Sequence, residues 1–425
     1  MRSFTFAYGS GSVSFELDEK NILGVLHGNA VPPLADIPAA LAAVLEAPIG
    51  APAFREWIAP DDRIALVISD MSRFWMRQDL VIPALVSYLY ESCGQKPSNI
   101  TIVVANGTHI GGNEQELRTL VTDAVFDSVR VVNHDCRADD LVYLGTTPHE
   151  TPVWINRIVA EADKVICLGA CTHHVMAGYG GGRKSIVPGV AGLQTIRHNH
   201  AYSLDSRSLV SNPLIGNGVL DGNPLHEDMV EAAAMIPQLY CVTLVMNADM
   251  KLAEIYAGHY LTSWEAACQA VDRIYRVSVP RKADAIIASC GGFPKDMSLY
   301  QGTKTIDNIE TGLKRGGKLI LLIEARDGGG PEEYFDWIRN LLDGSIEKRL
   351  RESFTVPGYI FFLNCEQAQR YQIYLLTSIP DETVAPMGIH AYNNMKDLLE
   401  AAQIENDLLY VIPNGSTVIP YAEEA

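Results

Sequence analysis

The sequence predicts an α/β protein of two domains, each built on a mostly parallel sheet, with a cofactor cleft between them. Three observations lead to this class. The chain has 425 residues, more than the roughly 250–300 that one hydrophobic core organises. Short apolar runs alternate with helical patterns, as they do where crossover helices cover both faces of a parallel sheet. Polar residues follow several of the apolar runs directly, at the strand ends where such sheets hold ligands.

Taken in order, residues 3–17 alternate as a hairpin, with Phe4, Phe6, Val13 and Phe15 flanking the turn-prone Gly9-Ser10-Gly11. A helix is expected at 35–46. Strand runs follow at 63–69, 99–105, 129–133 and 164–169, separated by helical patterns near 78–93, 113–127 and 152–163. Helices resume at 225–236 and 262–275, and Val277-Ser278-Val279-Pro280-Arg281-Lys282 reads as a linker. A second α/β unit then has strands near 284–289, 317–323, 373–377 and 408–412, and helices near 298–313, 331–343, 364–370 and 391–402. The expected domains are therefore an N-terminal catalytic and cofactor-binding domain at 1–276 and a C-terminal domain at 283–405 that closes the cleft. Residues 406–425 are expected as a tail packing back on the N-terminal domain.

Composition narrows the function. The chain is 48% hydrophobic and 20% charged, an ordinary globular balance. Its formal net charge of −18, without a lysine or arginine cluster, argues against nucleic-acid binding. The N-terminus lacks the pattern of a signal peptide, and no window reaches about 18 uninterrupted apolar residues, so a cytoplasmic protein without a membrane partner is expected. The eight cysteines form no Cys-x-x-Cys pair, which speaks against structural zinc or a disulfide framework.

Three strand ends carry the chemistry: Asp70 with Arg73, Asn106-Gly107-Thr108-His109, and Cys171-Thr172-His173-His174. The last leads into Ala177-Gly178-Tyr179-Gly180-Gly181-Gly182-Arg183-Lys184-Ser185, whose glycines, Gly181 and Gly182 among them, let backbone amides approach a ligand, with a helix start expected to face an anion. The spacing does not fit a nucleotidase P-loop, because Arg183 intervenes between Gly182 and Lys184-Ser185. Five of the eleven histidines, His149, His173, His174, His198 and His200, crowd around this segment, pointing to metal binding, proton transfer or both. His198 and His200 fall on nearly opposite sides of a helix, and His173 and His174 on opposite faces of an extended chain, so one of each pair can face a site. Lys184 could be a surface cation, an anion anchor or a nucleophilic amine, and Arg73 could clamp a carboxylate through two hydrogen bonds or form a surface pair with Asp70.

Asn106-Gly107-Thr108-His109, the run His174–Gly189, Asn199-His200, Gly291-Gly292-Phe293-Pro294-Lys295-Asp296 and Leu299-Tyr300-Gln301-Gly302-Thr303-Lys304 together resemble the nickel-dependent lactate racemase family, in order and over nearly the whole chain. The resemblance implies a racemase or epimerase that inverts C2 of a 2-hydroxy acid by hydride transfer, through a transient 2-keto acid. It implies a nickel-pincer nucleotide, a pyridinium-3-thioamide-5-thiocarboxylic acid mononucleotide carrying nickel, joined covalently to Lys184 and supplied by accessory biosynthetic enzymes. His200 then matches the nickel ligand, and His109 and His174 match the two acid/base histidines. Asp70, with Gly181 and Gly182, matches the cofactor side, while Arg73, Gln301 and Lys304 match residues toward the substrate. Where the family commonly shows Asp-x-Thr-Arg-Pro, this chain has Asp70-Met71-Ser72-Arg73-Phe74-Trp75, and Ile110 follows His109 where an arginine is common. These departures leave lactate, a bulkier aliphatic or aromatic 2-hydroxy acid and a sugar acid all open as substrate. Two other readings compete: a nicotinamide-dependent dehydrogenase, disfavoured by the lack of Gly-x-Gly-x-x-Gly after an early strand, and a non-catalytic nickel or small-molecule binding protein.

Overall fold

The structure is a computed structural model that describes residues 1–422. It is mixed α/β with mostly parallel sheets, and the chain divides into two compact units. One comprises Ala30–Tyr202 and Leu214–Ile274; the other comprises Met1–Asn29, Ser203–Pro213 and the chain from Tyr275 onward.

The first unit is built on a six-stranded sheet in the order Leu252–His259, Leu239–Met246, Lys164–Cys171, Ile64–Ser69, Ile100–Ala105, Arg130–Asn133. All neighbours are parallel except the edge pair Leu239–Met246 with Leu252–His259. The central strands are apolar on both faces: Ile64, Ala65, Leu66, Val67 and Ile68 are each at most 2% exposed, because helices cover the sheet from both sides. One of those helices, Glu114–Val121, starts on a capping box in which the Asn113 side chain accepts from the Glu116 amide and Glu116 reaches back to the Asn113 amide. Two strands in this sheet, Leu239–Met246 and Leu252–His259, go beyond the sequence expectation. The region expected as a helix at 152–163 is instead the strand Pro152–Ile155, in which Val153 and Ile155 alternate inward, followed by the single turn Arg157–Ala160.

The second unit carries a fully parallel six-stranded sheet in the order Ile389–Tyr392, Gln372–Leu376, Leu313–Leu322, Ala283–Ser289, Leu409–Ile412, Ile22–Val25. This corrects the expected boundaries. The first 29 residues belong here and not to a 1–276 domain, because Ile22–Val25 completes the sheet edge and the hairpin Arg2–Tyr8 with Gly11–Leu17 buries Phe4, Phe6, Phe15 and Leu17 against the core of Ile287, Ile320 and Val411. The final segment likewise stays with this unit: Leu409–Ile412 pairs inside the sheet, and Ile419–Ala422 pairs with Arg276–Val279, so the stretch read as a linker begins as a strand. Among the described residues no helix is long and apolar enough to cross a membrane, and the eight cysteines are free and buried.

Candidate active site

The sheet of the first unit reverses its winding between Ile64–Ser69 and Lys164–Cys171: from Ile64–Ser69 the chain steps outward to Ile100–Ala105 on one side and later to Lys164–Cys171 on the other. Beyond the carboxyl ends at such a switch point lies the crevice where open α/β sheets bind ligands. Asp70 directly follows the first of these strands, His109 lies four residues past the second, and His174 three past the third.

Asp70 and His109 are in direct contact. His109 Nδ1 lies 2.5 Å from Asp70 Oδ2, while Asp70 Oδ1 accepts from the Ser72 amide at 3.1 Å and the Ser72 hydroxyl at 2.6 Å. Burial alone would raise the Asp70 carboxyl, but the hydrogen bond and charge of His109, the Ser72 hydroxyl and the charge of Arg73 outweigh it, leaving the group below the usual carboxylate range. An ionised carboxylate can only accept, so Nδ1 of His109 carries the proton and Nε2 is the ring atom that can take up or release one. The Asp70 carboxylate, expected on the cofactor side, is thus bonded to His109 and Ser72. Arg73 sits beside it, donating from Nη1 to the Ser72 hydroxyl at 3.1 Å. Ile110, next to His109, is 96% exposed.

His174 lies on a two-residue hairpin in which His173 pairs with Tyr179 and His174 with Gly178. Gly178 has φ of +74°, and a Cβ there would come within 2.4 Å of the Val219 carbonyl, so only glycine closes this turn. The adjacent histidines turn to different partners. His173 Nε2 lies 2.8 Å from Asp272 Oδ1, which also accepts from the Tyr179 hydroxyl at 2.8 Å. His174 Nδ1 accepts from the backbone amides of Met176 and Ala177, at 3.1 and 3.2 Å.

The glycine-rich loop is docked by several anchors. The Gly180 amide donates to the Thr172 carbonyl at 2.7 Å, the Gly107 amide to the Gly189 carbonyl at 3.0 Å, and Trp264 Nε1 to the Gly180 carbonyl at 2.7 Å. Gly181 and Gly182 both have positive φ; a Cβ on Gly181 would meet the Ala170 carbonyl oxygen at 2.8 Å, and one on Gly182 the Trp264 ring at 2.7 Å. The loop enters the short 3-10 turn Gly182–Ser185, and the next helix starts only at Leu193, so the expected helix start beside Lys184 is absent. Arg183, the neighbour of Lys184, is fully buried: it donates to the carbonyls of Tyr179 and Ala177 and to His226 Nδ1, with its guanidinium 3.8 Å from the Trp264 ring centre. Burial pulls the Arg183 pKa down to about 10, and burial plus the Arg183 charge pull His226 down to about 3.

On the helix Leu193–Ala201, His200 faces inward and is buried while His198 is exposed, the opposition that their spacing predicts. Burial, reinforced by the charge of Lys184, lowers the His200 pKa to about 3. This donor chemistry fits a lysine-tethered metal cofactor: a buried imidazole held neutral, the form that ligates transition metals, shares its surroundings with one lysine amine. Among the described residues, the three-residue group with metal-ligand spacing is a different one, His149, Asp228 and Glu231. Gln301 and Lys304 belong to the second unit, where Lys304 Nζ donates to Gln301 Oε1 at 2.9 Å across a break between two short helices.

Asp272, Arg183, Trp264 and His226 escape the sequence reading. Their partners lie far away in the chain, so only the Arg183-Lys184 doublet offers a local sign: adjacent cations on a turn cannot share one environment.

Comparison with known proteins bears on the family and the fold. Residues 8–211 match the family model described as the lactate racemase N-terminal domain, and residues 279–420 the one described as the lactate racemase C-terminal domain. A lactate racemase from Thermoanaerobacterium thermosaccharolyticum is 28% identical over 99% of both chains, and one from Lactiplantibacillus plantarum is 26% identical over 99% of this chain and 100% of its own. The solved structure of the lactate racemase apoprotein from Thermoanaerobacterium thermosaccharolyticum superposes with a TM-score of 0.87 at 26% identity, covering 100% of both chains.

Proposed function

Because the chain belongs to the lactate racemase family and is a racemase, we propose that it inverts C2 of lactate or a related 2-hydroxy acid by moving the C2 hydrogen as hydride. The observation that supports this reading is the Asp70–His109 contact at the switch point of a sheet whose neighbouring strand leads to His174, together with a buried, neutral His200 that feels the charge of Lys184.

Lys184 and His200 are the residues that would hold a nickel-pincer nucleotide, the lysine as covalent tether and the imidazole as metal ligand, with Gly181 and Gly182 lining the loop that carries the tether. When bound, that group supplies an acceptor and donor of hydride. A proton at C2 is hard to remove, since the carbanion would adjoin a carboxylate; loss of hydride coupled to loss of the hydroxyl proton avoids that charge. On this reading His109 and His174 are the protein's hydrogen-bonding groups for the hydroxyl oxygen, and His109 Nε2 is the ring atom that would accept its proton. Arg73 would pair with the substrate carboxylate, and Gln301 and Lys304 are further substrate residues on this reading. Phe74 and Trp75 pack partly buried against the core of the first unit and Ile110 is exposed, so lactate, a bulkier aliphatic or aromatic 2-hydroxy acid and a sugar acid all stay in the substrate panel.

The chain co-produced with the accessory cofactor enzymes should convert one enantiomer of lactate, or of a longer 2-hydroxy acid, to a racemic mixture in a chiral assay. Fully loaded protein inert toward every member of such a panel would leave only a nickel-binding role, and turnover that requires added NAD would point to a dehydrogenase.

A further inference from the structure

Of the five histidines that crowd the glycine-rich segment, His149 takes no part in the site described above. It lies in the loop 147–151 between the strands Val142–Thr146 and Pro152–Ile155, against the helix Pro224–Ala234. That helix carries Glu227, Asp228 and Glu231. Glu227 and Asp228 precede Glu231 by four and three residues, so both are its neighbours on the helix surface. His149 Nδ1 lies 2.9 Å from each carboxylate oxygen of Glu231, and Nε2 lies 3.6 Å from Glu227 Oε2. One ligand atom each of His149, Asp228 and Glu231 fall within 4.8 Å of one another. The charges of this cluster do not balance within the protein. Asp228 is fully buried, and its carboxylate accepts from three neutral donors: the Thr147 hydroxyl at 2.6 Å, the Thr151 hydroxyl at 3.0 Å and the Asn199 amide at 2.8 Å. Those bonds leave one of its roughly four lone-pair sites. Among the described residues no lysine or arginine is within ion-pair distance of the three carboxylates, so a protonated His149 is the cation available to them. One proton offsets one of three negative charges, and buried charges are ordinarily paired or bound to metal.

We propose that His149, Asp228 and Glu231 form a metal site of their own, distinct in its ligands from Lys184 and His200, which takes one divalent transition ion of the zinc class, with Glu227 orienting the imidazole. The ion takes the place of the hydrogen between His149 Nδ1 and Glu231, and that proton is released to solvent. Zinc bonds of about 2.0–2.1 Å in tetrahedral geometry set neighbouring ligand atoms about 3.3 Å apart, so the 2.9 Å pair has to open by only a few tenths of an ångström. Nε2 then carries the remaining ring hydrogen toward Glu227, the arrangement in which a carboxylate fixes a metal-bound histidine. His149 and Glu231 are each about a quarter exposed, which gives the ion a path in and water a place to complete its coordination. An imidazole among carboxylates suits zinc and its neighbours, whereas calcium and magnesium take oxygen ligands throughout. The bound ion ties the loop 147–151 to the helix Pro224–Ala234. Asp228 in turn holds Asn199, the neighbour of His200 on the helix Leu193–Ala201, so the clamp also braces the helix that presents His200.

The test uses the full chain, free of cofactor and stripped of metal with a chelator, dialysed against rising concentrations of zinc chloride while bound metal is counted by plasma mass spectrometry. One zinc per chain should bind, and the urea midpoint should rise with it, since the ion binds the folded chain. Glu227→Gln should weaken binding by ~10- to 100-fold. His149→Gln and Glu231→Gln, which remove ligands, should each weaken it by more than Glu227→Gln does, and His200→Ala should retain the zinc. A readout that needs no variant comes from 1H–15N spectra of the wild-type chain with labelled histidine: zinc should shift the ring nitrogens of His149, leave its Nε2 protonated and leave His200 unmoved. The proposal is overturned if no stoichiometric zinc binds, if the zinc survives Glu231→Gln but is lost in His200→Ala, or if the spectra place the shift on another histidine. Magnesium that displaces zinc at equal concentration would overturn the assignment to the zinc class.

Discussion

Replacing Asp70 by asparagine changes one atom and should reverse the chemistry of His109. The Oδ1 position accepts from the Ser72 amide at 3.1 Å, and a backbone N–H can only donate, so the oxygen of the new amide must occupy that position. Its NH2 group is then forced toward His109, where Oδ2 now lies 2.5 Å from Nδ1. Facing a donor, Nδ1 must give up its hydrogen, which moves to Nε2, and the atom that should accept the substrate proton is blocked. Loss of a positioned general base costs ~100- to 10,000-fold in rate, or about 3–5 kcal/mol of transition-state stabilisation at ~1.4 kcal/mol per decade. The measurement is kcat for inversion of one enantiomer, followed by chiral chromatography. Nickel content and intact mass verify that Asp70→Asn and wild type are equally loaded. KM should change little, because the carboxylate acts through His109. A fully loaded Asp70→Asn enzyme within about threefold of wild type would refute the coupling of Asp70 to proton transfer.

Lys184→Ala should abolish the mass increase that the cofactor adds to the chain; a retained adduct would move the tether elsewhere. Arg183→Lys should lower stability by roughly 3–5 kcal/mol, read as a shift in urea midpoint, because lysine cannot satisfy the carbonyls of Ala177 and Tyr179 and His226 Nδ1 at once; a midpoint unchanged from wild type would contradict the anchoring role. His200 and His226, with pKa values near 3 in the fold against ~6.5 in an unfolded chain, should stay neutral from pH 8 to pH 5 in histidine NMR spectra of cofactor-free protein. Since the unfolded state binds the extra protons, their contribution to stability is intact above about pH 6.5 and declines as pH falls toward 3. Titration of either ring near pH 6.5 would show that it is not shielded. Asp272→Asn should weaken the hairpin that carries His174 and lower kcat more than KM, and an unaltered kcat would remove that positioning role.

The parts of the fold that the sequence reveals are those with local signals. The runs at 64–69, 100–105 and 164–171 are apolar on both faces, and the polar residues after them mark the crevice. The candidate site residues are legible for the same reason: Asp70, His109 and His174 each follow a strand. What stayed hidden depends on distant partners. Ile22–Val25 is only half buried and has no period of its own; pairing with Leu409–Ile412, nearly 400 residues later, makes it a strand. The span at 152–163 carries enough apolar residues for a helix, yet Val153 and Ile155 are held by pairing with Val142–Thr146. The Asp70–His109 contact joins two strand ends, and the polarity of His174 Nδ1 depends on how its hairpin folds back on itself. Neither relation is written in spacing.

The most direct test of hydride movement uses lactate, or whichever 2-hydroxy acid proves active, deuterated at C2. One enantiomer is racemised in ordinary water by the loaded enzyme, and the product is weighed by mass spectrometry. Transfer as hydride predicts that the inverted product keeps its deuterium. Loss of the label to solvent at the rate of inversion would mean that C2 is deprotonated, and the mechanism built here would be wrong.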